Sequence, residues 1–342
     1  MCPDRHRNVN VASTKKMITL IFNVSPFRAT IFIILIIWLT FFGPYKAFIN
    51  TNPLTDKNYI DVHEGSSMYA VLDNLKLSSL LNKLYFRIYL NTNSIKSFQS
   101  GEYDIKNKDF KEVIDLFEKG KTYTHSLMII EGMNIYDIEN ELEKSYLIND
   151  CSFLVCIKTN YPFKEGVLYP DTYFYKKGMM ASDLLNNSHK KLDHFLNTIW
   201  LNKPDNDILK NKYQALILAS IIEKEAGNQA EKPDIAGVFL KRISIGMKLQ
   251  ADPTIIYGLL PNFDGDIRKS DILDKNNIYN TYMINGLTPT PISISSISSI
   301  KAAILSVPGE YLFFVANSPN SHYFSRTYDE HLNMIKKVGL DK

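Results

Sequence analysis

Leu216-Ile217-Leu218-Ala219-Ser220-Ile221-Ile222-Glu223-Lys224-Glu225-Ala226 is an almost wholly apolar run that ends on two glutamates. Apolar residues at Ala215, Leu218, Ala219, Ile222 and Ala226 recur at helical spacing. Leu216, Ile217 and Ile221 fill the other faces, so the pattern predicts a helix over 213–226 that is buried on most sides. Glu223 ends the buried run. One turn before it, on its own face, stand Ala219 and Ser220, both small. Space above a buried carboxylic acid suits a substrate groove with a general acid. Burial also raises a carboxyl pKa, so that the group donates a proton near neutrality. Glu225 lies two residues on, about 200° around the helix, and is expected to face elsewhere. The two glutamates therefore do not pair on one face. The plainer reading makes Glu223 the first solvated residue of a helix end.

Outward from this helix the signals alternate between helix and short strand, which predicts an α+β fold. Residues 183–200 read as an amphipathic helix and 233–243 as another. Asp252-Pro253-Thr254 opens a short helix, with Asp as cap and Pro at the first position. Pro170-Asp171-Thr172 reads as a turn or cap. A hairpin over 311–316 and 322–325 and a helix over 328–338 follow toward the end. These elements make up a second domain over 151–342. Residues 50–147 hold a weak repeat. Ile60-Asp61-Val62-His63-Glu64-Gly65-Ser66-Ser67 leads into a helix over 68–75. Leu127-Met128-Ile129-Ile130-Glu131-Gly132-Met133-Asn134 leads into one over 135–142. Each copy runs strand, Glu-Gly, capping Ser67 or Asn134, then helix. A generic αβ turn has the same pattern. Between the copies, 80–90 and 110–118 read as helices and 101–105 as a strand.

Several motifs in series resemble the endolytic murein transglycosylase, or YceG-like, family. They are SGEYDI at 100–105, KEGVLYPDTYFY at 164–175, LASIIEKEA, VFLKRISIGMKLQADPTIIYG and YNTYMINGLTPTPI. The resemblance runs from about Val62 to the C-terminus. It implies a LysM-like subdomain over 50–147 and a mixed α+β catalytic domain. It also implies that the glutamate of the Ser-Ile-Ile-Glu-Lys-Glu motif, Glu223, is the catalytic acid. By the same resemblance Gln250, Asp252, Thr254, Tyr279, Asn280 and Tyr282 are candidates for the substrate groove. Aromatic rings stack on sugar faces, and amides pair with hydroxyls. The chain departs from the family at Thr288-Pro289-Thr290-Pro291, Ser293-Ile294-Ser295 and Glu330-His331-Leu332.

The activity so implied is cleavage of the β-1,4 bond between N-acetylmuramic acid and N-acetylglucosamine, leaving 1,6-anhydro ends on nascent glycan strands. No second carboxylate, metal or cofactor is required. A membrane-bound cell-wall synthase is the partner implied. Two other readings remain open: a tethered glycan-binding scaffold without catalysis, and a water-using muramidase with Glu223 and Asp252 as its pair.

The net charge is +3. Residues 1–28 hold Arg5, Arg7, Lys15, Lys16 and Arg28 against Asp4, so the remainder is about −1 and no nucleic-acid surface is expected. Ala-Thr-Ile-Phe-Ile-Ile-Leu-Ile-Ile-Trp-Leu-Thr-Phe-Phe follows at 29–42 without a charge. Extended to Phe48 it is long enough to span a bilayer, with Lys46 near the end able to snorkel. Charges before the span orient a tail over 1–28 to the cytoplasm, an anchor over 29–48 in the inner membrane, and the rest outside. Pro44 and Tyr45 argue against signal cleavage. Met17 is an alternative start with the same topology. Cys151 and Cys156 are read on a helix, where positions five apart exceed bridging reach, and are expected as two free thiols. His322 and His331 stand isolated, and no zinc spacing is present.

Overall fold

The computed structural model describes residues 26–53 and 57–340. Most of the basic tail, with Cys2 and Met17, lies outside the described residues. The chain divides into two compact units, Met1–Tyr123 and Thr124–Lys342.

The first unit begins with helix α1 (Pro26–Ile49), which is 24 residues long and apolar enough to cross a membrane. At 1.5 Å per residue it spans about 36 Å. Strand β1 (Tyr59–Val62) leads through Gly65 to α2 (Met68–Asn74), then α3 (Leu80–Thr92). Ser67 and Ser79 cap these two helices through their hydroxyls. Strand β2 (Gly101–Asp104) pairs antiparallel with β1, setting Ile60 opposite Tyr103. Helix α4 (Phe110–Lys119) opens with a capping box of Asp109 and Glu112. It closes on Gly120 at φ +62°, a conformation that favours glycine. Leu72, Phe86, Tyr103, Phe110, Ile114 and Phe117 form the core, with Phe48 of α1 buried against it.

The second unit starts with β3 (His125–Ile129) and α5 (Ile135–Lys144). Both copies of the sequence repeat therefore fold as strand, left-handed glycine, cap and helix, with Gly65 at φ +74° and Gly132 at +84°. They fall in different units. Strand β4 (Asp171–Tyr175) pairs with β3, Ile129 opposite Asp171. The expected turn at Asp171 is thus the start of a strand. The Pro-Asp signal masked an alternation in which Tyr175 is the buried end.

The cysteine expectation is corrected here. Cys151 and Cys156 form a disulfide, with Cα atoms 5.0 Å apart. The segment is not an α-helix: Ser152–Leu154 is a short 3₁₀ turn, and Phe153 and Leu154 take φ of +47° and +59°. That left-handed kink folds the segment back and brings the two ends within bridging reach.

Helices α6 (Ala181–Trp200), α7 (Lys212–Glu225) and α8 (Lys232–Ser244) follow, then α9 (Asp252–Leu259), α10 (Lys269–Ile272) and α11 (Ile297–Leu305). The hairpin β5 (Phe313–Ser318) and β6 (Ser321–Ser325) and helix α12 (Tyr328–Val338) end the unit. Helix α7 is the centre of this unit, packed against α8, α9 and α11. Asn211 caps it by accepting from the Gln214 N–H at 2.9 Å. Residues Tyr213 and Ala215 through Ile222 are all buried. Burying each Leu or Ile side chain there is worth about 1.5–3 kcal/mol, so apolar packing on every side holds α7 in place.

Candidate active site

The two glutamates at the end of α7 have opposite environments. Glu223 points into the protein. Its Oε2 accepts from the Ser296 N–H at 2.9 Å, the Ser299 hydroxyl at 2.6 Å and the Ser296 hydroxyl. Lys232 of α8 lies 3.1 Å from the same oxygen and is itself buried. Lys232 also donates to the hydroxyls of Ser296 at 2.8 Å and Ser298 at 3.1 Å. Burial acts to raise the Glu223 pKa, but the Ser296 and Ser299 hydrogen bonds and Lys232 together hold it below the ordinary carboxylate value. The expected raised pKa is therefore corrected. The reason is visible one turn back, where the space over small Ala219 and Ser220 is filled by chain. The Ile292 N–H donates to the Ser220 hydroxyl at 2.9 Å, and the Ser293 hydroxyl reaches the Ser220 carbonyl. Segment 292–296 occupies what the sequence suggested was a groove.

Glu225 faces a cleft of about 430 Å³ on the other side of the helix, lined also by Arg242, Gln250, Asp252, Tyr282 and His322. Phe313, Tyr328 and His331 form part of its wall. The Glu225 side chain is half-buried, and among the described residues no hydrogen bond reaches its carboxylate. Desolvation pushes its pKa up to about 8, the Asp252 charge adds to the rise, and Arg242 offsets part of it. At neutral pH the group therefore carries its proton and has no donor to hold it ionised.

The candidates divide into two sets. Gln250, Asp252 and Tyr282 line the cleft with Glu225. The Tyr282 hydroxyl donates to Asp252 at 2.7 Å, fixing that carboxylate. Asp252 is not the cap of α9, because that position is Ala251 and no side chain caps it. Gln250 has φ of +52°, an uncommon setting for a residue other than glycine. Thr254, Tyr279 and Asn280 do not line the cleft. Thr254 is buried and bonds the Ala251 carbonyl and the Thr281 hydroxyl. Asn280 is fully buried, and its amide donates to the carbonyls of Asp271, Ile272 and Asp274, tying down α10. Tyr279 bonds Thr290 and packs on Tyr257. Amides and hydroxyls at these positions satisfy backbone, as buried polar groups must.

The sequence reading missed Arg242 and both histidines. Arg242 is buried, and its guanidinium donates to the carbonyls of Leu312 and Leu249. His322 donates its backbone N–H to one oxygen of Glu231 at 3.0 Å, and its Nδ1 lies 2.8 Å from the other. That carboxylate fixes the ring, leaving Nε2 as its free edge. His331 stacks on Phe313, and burial and Arg242 lower its pKa, so it is neutral at pH 7. The hairpin and α12 bring the two histidines beside α7 from about 100 positions away, a distance no local pattern carries, while Arg242 comes from the neighbouring helix α8. Among the described residues no group of acidic, His and Cys side chains has the grouping of a metal site.

Comparisons with known proteins agree with this architecture. The YceG-like family model matches residues 60–337. An endolytic murein transglycosylase of Bacillus subtilis (strain 168) is 29% identical over 313 residues, covering 83% of this chain and 85% of that protein. One from Streptococcus pneumoniae serotype 2 is 24% identical over 318 residues, covering 80% of this chain; the chain spans 57% of that protein's length. The crystal structure of a YceG-like protein from Listeria monocytogenes aligns with a TM-score of 0.51 at 28% identity, covering 82% of this chain and 99% of that one.

Proposed function

The chain belongs to the YceG-like family, and on that premise we propose that it is a membrane-anchored endolytic lytic transglycosylase of peptidoglycan, with Glu225 as its general acid and base. The single observation that carries the assignment is the place of Glu225 in a cleft beside Asp252, Tyr282 and His322, where burial pushes its carboxyl pKa up to about 8. Glu223, the residue favoured by the resemblance, has its Oε2 engaged by Lys232 and three serine donor groups, which hold it ionised.

The chemistry follows from one group. The Glu225 carboxyl gives its proton to the glycosidic oxygen as the bond from C1 of N-acetylmuramic acid breaks and an oxocarbenium-like centre forms. The carboxylate left behind then takes the proton of the same sugar's 6-hydroxyl as O6 bonds to C1. The products are a free 4-hydroxyl and a 1,6-anhydro end, and Glu225 regains its proton. The nucleophile belongs to the substrate, so proximity takes the place of a second catalytic carboxylate. Asp252 supports Glu225 by keeping its pKa high. Arg242 lines the same wall, and Glu231 positions His322 to meet a hydroxyl or acetamido group. No metal or cofactor enters the scheme.

Asp252 in the same cleft also favours a second reading, hydrolysis by water with Glu225 as acid and Asp252 as base. Digestion of purified glycan strands by the full chain, followed by mass spectrometry, decides between them. Anhydro ends support the transglycosylase, reducing ends the hydrolase, and uncut strands a binding scaffold. Helix α1 and the basic residues before it support a single-pass anchor in the inner membrane with the N-terminus inside. The strand–glycine–cap–helix pattern of the first unit supports a LysM-like role in holding glycan. A synthase that makes the strands is the partner class this reading implies.

A further inference from the structure

Helix α1 does not end in a free linker. Phe41, Tyr45 and Phe48 surround Tyr85 of α3, with ring centroids 5.7, 5.7 and 5.9 Å away. Phe48 also packs on Phe110 at 4.5 Å, and Phe110 meets Phe86 and Tyr89 further along α3. Phe110 thus links the later turns of α3 to the end of α1, and Phe41 meets α3 at Tyr85, the residue directly after Leu84. A hydrocarbon core of about 30 Å takes about 20 helical residues. Counted from the residue after Arg28, that span runs to Phe48. Phe41 is seven residues short of its end, about 10 Å deep at the helical rise. Side chains beside Phe41 share that depth.

The first turns of α3 carry Leu80, Leu81 and Leu84, which are 88%, 52% and 48% exposed. Three leucines on two turns of one helix make a patch that water disfavours. Lys83 and Arg87 are exposed on the same helix. From Lys76 to Ser100 the chain holds Lys76, Lys83, Arg87 and Lys96 and no acidic residue, although the chain after residue 28 is slightly acidic overall. Apolar side chains at the boundary with basic groups around them are what a helix lying in an anionic lipid interface presents.

We propose that the N-terminal half of α3 inserts Leu80, Leu81 and Leu84 among the lipids of the outer leaflet, with Lys83 and Arg87 on anionic headgroups. The first unit is then seated on the bilayer rather than suspended above it. The proposal rests on the reading of α1 as a membrane span.

Nitroxide labels test both separately. The full chain carrying Cys2→Ser and one of Ile34→Cys, Leu84→Cys or Asn91→Cys is reconstituted into vesicles of phosphatidylethanolamine and phosphatidylglycerol. Collision with oxygen and with a water-soluble nickel complex is then read at each label. The oxygen-to-nickel ratio at Leu84 is expected several-fold above that at Asn91, close to that at Ile34. A Leu84 label as nickel-accessible as Asn91, with Ile34 immersed, overturns the proposal and leaves the span standing. An aqueous Ile34 overturns the span and the proposal with it. Spin–spin broadening at Leu84 assigns the patch to a second copy of the chain and also overturns the proposal.

Discussion

Glu225→Gln separates the two glutamates of α7 through stability as well as activity. The folded Glu225 titrates at about 8 against 4.5 for the free group. Between those values the native protein keeps a proton that the unfolded chain has lost. Unfolding free energy therefore falls with rising pH, by about 1.4 kcal/mol per unit at most. Over the whole window the ceiling is about 5 kcal/mol, and water in the open cleft reduces it to on the order of 2–3 kcal/mol. Glutamine does not ionise, so the variant escapes this loss. Relative to the parent it is expected to be unchanged at pH 4.5 and more stable at pH 9, by about 4–12 °C at 2–4 °C per kcal/mol for a domain of this size. Its formation of anhydro ends drops by at least about 10²–10⁴-fold. The parent's activity is expected to fall on the alkaline side through about pH 8 as Glu225 loses its proton. The assay is thermal unfolding of the full chain in detergent across pH, paired with mass spectrometry of digested strands. A melting offset that is the same at both pH values, or near-parental anhydro production, would refute the reasoning.

Glu223→Gln strands the buried Lys232 ammonium, and thermal unfolding is expected to show a loss of about 3–5 kcal/mol. Because the folded Glu223 pKa is depressed, its contribution is present at neutral pH and is lost on acidification below the free-group value, so parent and variant should converge in acid. Non-reducing alkylation is expected to leave Cys151 and Cys156 unmodified and the mass two hydrogens short. Opening that loop, whose ends are five residues apart, costs about 2 kcal/mol by chain entropy, read as a lower denaturation midpoint in Cys151→Ser. Glu165 is buried, titrates at about 7 because of that burial, and accepts from the Ile135 and Gly166 N–H groups and the Tyr257 hydroxyl. Glu165→Gln turns a donor toward donors, with an expected loss of about 1–3 kcal/mol in denaturant titration. An enzymatic reporter fused after Lys342 is expected to work only outside the cytoplasm, and activity of a cytoplasm-restricted reporter there would reverse the assigned orientation.

Periodic segments were legible in the sequence. The helix over 328–338 is found at Tyr328–Val338, and the all-round apolar pattern of α7 is its burial. What periodicity could not supply was the identity of the neighbours. Ala219 and Ser220 read equally well as a floor for substrate or a seat for backbone, and Ile292 and Ser293 take the seat. The helical angle between Glu223 and Glu225 is legible, but which side is open depends on Lys232 of the next helix and on Ser296 and the β5–β6 hairpin, which lie more than 70 residues away in sequence. Asn280 and Thr254 looked like sugar ligands because groups that bind hydroxyls also bind peptide carbonyls. The Cys151–Cys156 pair was missed because two left-handed residues, Phe153 and Leu154, have no glycine to announce them.

The Glu223–Lys232 pair also sets the bearing of a helix. Apolar side chains hold α7 at a depth but resist its rolling only weakly, since leucine, isoleucine and alanine surround the axis. An ionic pin at one position removes that freedom. Each residue turns the helix by about 100°, so pinning Glu223 aims the residue two places on. One residue inserted between the two glutamates would keep the pin and swing the second carboxyl away from the cleft, with burial and composition nearly unchanged. Glu-Lys-Glu at a helix end thus works as a compass, its first glutamate fixed to the frame and its second pointing where the frame dictates.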